Sequence, residues 1–129
     1  MPKTARQLSR EELLSYRPWQ ALRRFREDPE VTGRWERAWE VARSAASLLK
    51  EQFGATKVVA FGSLARRVWF TPWSDVDLAV WWVPSEKFFR AVGAVMDLGA
   101  EAGFKVDLID PAECSASLFL TIQSEGIEQ

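Results

Sequence analysis

Residues 61–80 have the sequence FGSLARRVWFTPWSDVDLAV, and this stretch decides the predicted fold. It begins at the end of a short apolar run, Lys57–Phe61, whose β-branched residues predict a buried strand. Gly62 ends that strand, and Ser63 is placed to cap a helix that starts directly after it. A second strand is predicted over Asp75–Trp82. The stretch therefore predicts a strand–helix–strand unit.

Three carboxylates lie on predicted strands, two in this unit and one in the apolar run Phe104–Ile109. Side chains alternate between the faces of a strand, so Asp75 and Asp77 are expected on one face. Asp107 joins them if its strand lies beside theirs. Carboxylates so close together repel each other unless a cation lies between them, and Mg²⁺ is often held by one or two carboxylates plus substrate phosphates. Two bound metals would stabilise the attacking and leaving oxygens of an in-line displacement.

The turn at Gly62 and Ser63 supplies the phosphate side of this hypothesis. Free N–H groups at a helix start favour an anion, and Arg66 adds positive charge against a triphosphate. Arg67 is more simply a surface charge. Each part has a plainer interpretation: a Gly-Ser pair is a common turn, and a lone Asp-x-Asp is more often a solvated strand edge. Only their joint order favours nucleotidyl transfer.

This order of motifs resembles the nucleotidyltransferase superfamily related to DNA polymerase beta, and most of all its small branch, the minimal nucleotidyltransferases. The family's signature is a Gly-Ser turn, then Asp-x-Asp, then a third Asp on a later strand. The residues that match it are Gly62, Ser63, Asp75, Asp77 and Asp107. The resemblance spans roughly residues 42–126. It implies a polymerase-beta-like fold of the α/β (α+β) class, a mixed β-sheet flanked by helices.

The resemblance also implies an activity: Mg²⁺-dependent transfer of a nucleoside monophosphate from an NTP, with ATP favoured, to a hydroxyl acceptor. Asp75, Asp77 and Asp107 would be the catalytic and metal-binding residues of a two-metal site. Gly62, Ser63 and Arg66 would bind the nucleotide. Small members of the family are often paired with a helical HEPN-domain protein, and the acceptor hydroxyl could belong to that partner. The alternative is a catalytically weak or inactive subunit that binds its partner in a HEPN/MNT toxin–antitoxin-type complex.

Two departures from the family pattern concern the region between the motifs. Arg67 stands where the family usually has Gly, and the linker to Asp75 is slightly long and aromatic. Its residues Trp69, Phe70 and Trp73 are equally compatible with packing and with contact to a base or a partner. The other aromatic residues predicted to pack in the interior are Trp35, Trp39, Trp82, Phe88 and Phe104.

Composition excludes several other classes of protein. The chain has 129 residues, of which 47% are hydrophobic and 27% charged, as expected for one globular domain. It contains no histidine, which excludes Ser-His-Asp and Cys-His catalysis, and Cys114 alone cannot form an internal disulfide. No apolar run is long enough for a membrane span and no signal peptide is visible, so a cytoplasmic location is expected. The basic excess near the N-terminus is mild, which disfavours nucleic-acid binding.

Helix signals predict the remaining organisation. Short helices are expected from Ser9 and from Pro18, with breaks at Asp28-Pro29 and Gly33. Apolar residues then recur at helical spacing over residues 34–53, and further helices are expected from Pro84 and over residues 112–125. The predicted division is an N-terminal helical extension, residues 1–33, and a nucleotidyltransferase domain, residues 34–129.

Overall fold

A four-stranded mixed sheet organises the part of the chain that the computed structural model describes, residues 24–129. The elements are α1 (Pro29–Phe53), β1 (Lys57–Phe61), β2 (Val76–Trp81), α2 (Ser85–Glu101), β3 (Val106–Ile109), α3 (Ala116–Glu125) and β4 (Ile127–Glu128). The strand order is β3-β2-β1-β4. β1 is antiparallel to both β2 and β4, whereas β2 and β3 are parallel. The predicted α+β class with a mixed sheet flanked by helices is confirmed.

The two faces of the sheet bury different partners. One face carries alternate residues such as Val58, Leu78 and Val106, and these form the main core together with apolar residues of α1 and α2. The other face carries Val59 and Ala79, which pack with residues of α3. Because side chains alternate along each strand, Asp77 and Asp107 belong to this second face.

Helix α1 begins earlier than the sequence predicts. Asp28 caps it by accepting a hydrogen bond from the backbone N–H of Glu30, and Pro29 occupies the first turn. The helix continues through Gly33, so the predicted break at Gly33 is wrong. A glycine inside a helix costs only about 1 kcal/mol, which the buried face of a helix this long outweighs. Gly54 ends the helix with φ of 75°, as predicted.

The segment directly after β1 is not an α-helix. Residues 62–65 form a turn in which the Arg66 N–H donates to the Ser63 carbonyl at 3.3 Å, and a single 3₁₀ turn follows at Arg67–Trp69. The prediction of a helix capped by Ser63 is therefore wrong. Leu64 explains the difference, because its side chain is fully buried and draws the turn onto the core.

The C-terminal part differs from the prediction in its boundaries. Asp110 caps only a 3₁₀ turn, Pro111–Glu113, and α3 begins after Ser115, whose hydroxyl accepts from the Leu118 N–H. The expected single helix over residues 112–125 is thus two elements. Strand β4 was not predicted, and two residues are too few to carry a periodic pattern.

One of the predicted interior aromatic residues is not buried, and the aromatic residues of the linker divide between buried and exposed. Trp82 is 76% exposed and has φ of 73°, so its predicted place in the interior is wrong. It lies just past the end of β2, where the sheet no longer fixes which way a side chain points. In the linker, Phe70 is fully buried while Trp73 is 77% exposed. Phe104 is buried, and Trp35, Trp39 and Phe88 pack against the core as predicted.

Ser9 and Pro18, where two helices are predicted to begin, lie outside the described residues. The division of the chain at residue 33 stays a prediction. Within residues 24–129, no helix combines the length and the apolar character needed to cross a bilayer.

Candidate active site

Asp77 and Asp107 form the centre of the candidate site. They are direct partners in the register between the parallel strands β2 and β3. Paired residues on neighbouring strands lie on the same face, and neighbouring strands are about 4.8 Å apart. The predicted side-by-side placement of these two carboxylates is therefore present. It arises because the Asp in each strand is flanked by apolar residues that face the core, and the pairing of the strands aligns the two Asp residues.

The electrostatics of Asp77 reflect this crowding. Burial, then the negative charges of Asp107 and Asp75, raise the pKa of Asp77 from 3.8 to about 6, while Lys105 partly opposes the shift. Each cause except Lys105 disfavours the charged form of the carboxyl. The fold thus holds a carboxylate where ionisation is unfavourable, which is the arrangement that a bound cation would relieve.

Asp75 stands just before β2 and contributes charge to this cluster. Among the described residues, however, no group of three or more His, Cys, Asp or Glu side chains is arranged to hold a single ion. Asp77 and Asp107 are paired by strand register, whereas Asp75 lies outside the regular strand, where pairing does not fix its side chain. The assignment of all three as metal ligands stays a prediction.

Gly62 lies directly against the Asp77 carboxylate. The preceding residue, Phe61, is paired with Asp77 across β1 and β2. A Cβ built on Gly62 would lie 2.7 Å from Asp77 Oδ2. Gly62 also has φ of 71°, a conformation that other residues adopt at a cost. Both facts require glycine here, because a side chain at this position would be strained and would collide with the carboxylate.

The structure places the other predicted nucleotide-binding residues around this turn. Ser63 follows Gly62, and its hydroxyl makes no hydrogen bond to another described residue. Arg66 donates to Glu125 at 2.9 Å, and its guanidinium lies 5.8 Å from the centre of the Trp69 ring. Both side chains of the Arg66–Glu125 pair are partly exposed, so this surface ion pair contributes about 1 kcal/mol or less. Arg66 can therefore exchange partners at small cost.

Arg67 has a different role from Arg66. It donates to the backbone carbonyls of Phe25 and Arg26 and to the hydroxyl of Thr32, at 2.8–3.0 Å. These bonds tie the 3₁₀ turn to the start of α1. The position where the sequence departs from the family pattern is thus a structural contact and not the free surface charge that was predicted.

Sequence reasoning missed two residues near the site. The Lys105 ammonium lies 3.8 Å from Asp107 Oδ1, and its spacing of two residues from Asp107 could have revealed this. Trp35 donates its indole N–H to the Leu64 carbonyl at 3.0 Å, inside the Gly-Ser turn. No local signal predicts that contact, because 29 residues separate the two positions.

A cavity of about 440 Å³ lies elsewhere, between the start of α2 and the end of β3. Its lining includes Phe88, Phe89, Ile109 and Asp110, but none of the predicted site residues. A triphosphate and a metal need charge and accessible backbone more than apolar volume. The carboxylate cluster and not this cavity is therefore the better candidate for nucleotide chemistry.

Comparison with known proteins agrees with this geometry. Residues 42–125 match the model of a nucleotidyltransferase domain. Among curated proteins, none matches this chain significantly. A crystal structure of a toxin–antitoxin with AMP-PNP has a TM-score of 0.54 and 20% identity, over 67% of this chain and 70% of that one. A structure of a mutant toxin–antitoxin MntA-HpeT has a TM-score of 0.52 and 21% identity, over 67% and 69% of the two chains.

At these identities the two structures establish a shared fold. The family model goes further, because its match runs from the middle of α1 to the last residue of α3 and takes in every predicted carboxylate together with the Gly-Ser turn. The match covers well over half of the sequence, so this chain belongs to the nucleotidyltransferase domain family.

Proposed function

We propose that this protein transfers a nucleoside monophosphate from an NTP, with ATP favoured, to a hydroxyl acceptor in a Mg²⁺-dependent reaction. The observation that carries the proposal is the side-by-side pair of Asp77 and Asp107, with the Gly62 turn packed directly against Asp77. It is supported by membership of the nucleotidyltransferase family.

The residues present fit a divalent metal. Carboxylate oxygens are the ligands that Mg²⁺ prefers, and burial together with two neighbouring negative charges raises the pKa of Asp77, a cost that a bound cation would reduce. Asp77 and Asp107 would hold the ion, with Asp75 as a further ligand. When bound, Mg²⁺ would offset the charge of the phosphates and of the leaving pyrophosphate.

The protein's own groups would bind the phosphates and assist deprotonation of the acceptor. The backbone at Gly62 and Ser63 would hold the β- and γ-phosphates, since a glycine in a turn lets a ligand approach the main chain closely. Arg66 would leave Glu125 for a phosphate oxygen, which accepts a stronger charge-assisted hydrogen bond than an exposed carboxylate offers. Asp107 would assist deprotonation of the acceptor hydroxyl; because the chain has no histidine, the base must be a carboxylate, Lys, Tyr or water.

A second function is carried by the surface of the molecule. Several large apolar side chains are exposed, with Trp73, Trp82 and Phe89 each more than three quarters accessible. Aromatic residues of this kind are enriched in protein interfaces. We propose that the protein also binds a partner, a HEPN-domain protein of a toxin–antitoxin pair, and that the acceptor hydroxyl is on this partner. The structural neighbours are themselves toxin–antitoxin proteins, which supports the choice.

Both functions are tested in one experiment. The protein is incubated with labelled ATP and MgCl₂, with and without the purified product of the neighbouring gene, and that product is analysed by mass spectrometry. A mass increase of one AMP on the product is expected, and none with Asp77→Asn. Stable binding of the partner without any label on it, at any NTP, would favour the binding function and contradict transfer.

A further inference from the structure

We propose that Trp35 is a positioning residue for the Gly62–Ser63 turn, acting through the Leu64 carbonyl and helped by Arg67. The inference rests on the proposed function of this turn in holding phosphates. It concerns residues to which the family signature assigns no role.

The turn needs support from outside because it lacks helical hydrogen bonds of its own. The turn at residues 62–65 is closed by the bond from the Arg66 N–H to the Ser63 carbonyl, and a 3₁₀ turn follows it in place of the regular ladder of an α-helix. A backbone that must present its N–H groups to an anion is effective only if those groups are held in place beforehand. Contacts from other elements therefore decide how well this turn can bind phosphate.

Trp35 provides the first of these contacts. Its indole Nε1 donates to the Leu64 carbonyl at 3.0 Å, and the Leu64 side chain is fully buried next to it. The main chain of Leu64 is thus held on both sides, by a hydrogen bond from α1 and by packing in the core. Since Leu64 follows Ser63 directly, this fixes the direction of the turn.

Arg67 provides the second contact. Its Nη2 atom donates to the Phe25 and Arg26 carbonyls at 3.0 Å and to Thr32 Oγ1 at 2.8 Å. The guanidinium also lies 5.9 Å from the centre of the Trp35 ring. Both contacts therefore lead to the same place, the first turns of α1 and the residues just before them.

The location of these contacts has a consequence for the limits of the functional unit. Phe25, Thr32 and Trp35 all precede residue 42, where the match to the family model begins. The turn that carries the signature is thus held by residues outside the matched span. A chain that started at residue 42 would keep every signature residue and lose the support of the turn.

The test compares two conservative substitutions in one aromatic pair. Trp35 and Trp39 pack edge to face with ring centres 6.3 Å apart. Trp35→Phe keeps an aromatic ring and removes the N–H donor to Leu64. Trp39→Phe is the matched control, because the Trp39 indole makes no hydrogen bond to another residue of the described part of the chain. Steady-state kinetics with MgATP are measured for both variants, beside melting temperatures and hydrogen exchange of the peptide covering residues 62–67.

We expect Trp35→Phe to raise KM for MgATP about five- to tenfold with kcat changed less than twofold, the size expected for one lost hydrogen bond. Exchange at residues 62–67 should accelerate in the absence of nucleotide. Trp39→Phe should leave KM within twofold and the exchange unchanged, even if its melting temperature falls equally. Arg67→Met, which keeps an unbranched apolar stem and removes all the N–H donors, should reproduce the KM rise and serves as the second variant if Trp35→Phe does not fold.

Equal KM values and equal exchange for the two Trp variants would overturn the proposal. Failure of the proposed function looks different: the wild-type protein would then neither bind MgATP nor transfer a nucleotide. In that case the exchange measurement alone decides whether Trp35 holds the turn. Faster exchange confined to Trp35→Phe would support the structural contact, and unchanged exchange would refute it.

Discussion

Substituting Gly62 by Ala should damage activity far more than stability, and the structure allows both effects to be estimated. The added Cβ would lie 2.7 Å from Asp77 Oδ2, well inside the ordinary C···O contact of about 3.3 Å. The atom it meets is the end of a side chain, so the carboxylate can turn away and the fold survives. Asp77 then shifts by roughly 0.6 Å, more than the ~0.5 Å that a catalytic group tolerates.

The expected size of each effect follows from this contact. Alanine at φ of 71° costs about 1–2 kcal/mol of unfolding free energy, which lowers the melting temperature by roughly 3–12 °C in a domain of this size. The displaced carboxylate should reduce the rate of transfer by about 100-fold. The assays are a thermal melt and the rate of AMP transfer at saturating MgATP, measured well below the melting temperature.

Gly54 supplies the matched control. It has φ of 75°, close to that of Gly62, but a Cβ at Gly54 meets nothing within 4 Å. Gly54→Ala should therefore lose a similar amount of stability and keep its activity. If Gly62→Ala transfers AMP as fast as Gly54→Ala does, the close approach to Asp77 is irrelevant to catalysis and the reasoning fails.

Three further expectations concern charge. Asp77→Asn should abolish transfer while raising the melting temperature of the metal-free protein at pH 7, because it removes a carboxylate that the fold disfavours; a lower melting temperature would contradict this. The pKa of Asp77 is raised on folding from 3.8 to about 6, so the destabilisation it causes is absent below pH 3.8, grows between pH 3.8 and 6, and is complete above pH 6. The difference in melting temperature between wild type and Asp77→Asn, followed from pH 7 to pH 4 in chelator, should accordingly shrink, and a constant difference would exclude this titration. Glu125→Gln should change stability by less than about 1 kcal/mol and lower KM for MgATP by up to about fivefold if Arg66 binds phosphate, whereas an unchanged KM would leave Arg66 as a surface ion pair.

The strands of the sheet could be predicted from the sequence because their patterns are local. β1, β2 and β3 are short apolar runs bounded by residues that end strands, and the phase of Asp77 and Asp107 within their runs already places them on one face. The pairing of β2 with β3 is not local, and it was the resemblance to a known family that implied it.

The turn after β1 could not be predicted for the opposite reason. Ser63 and the residues after it carry a valid helix-start signal, but buried Leu64 and the distant Trp35 override it. Gly33 shows the same competition in reverse, since a local helix breaker is accepted inside α1 because the rest of that helix is buried. Trp82 follows the last residue of β2, so the alternation of that strand does not place its side chain. In each case tertiary packing decides between local signals of similar strength.

The charge balance of the site explains why its carboxylates can be costly in the free protein. Among the residues that the structure describes, Lys105 forms an ion pair with one of them, but its ammonium lies 3.8 Å from Asp107 and both side chains are about half exposed, so solvent screens the attraction. Asp77 therefore remains uncompensated, as its raised pKa indicates. A protein selected for stability alone would place an amide or an apolar residue at this position, next to Ala79 and opposite Phe61. Retaining a carboxylate there is consistent with a requirement imposed by a ligand, and a divalent cation that brings a triphosphate supplies the missing positive charge.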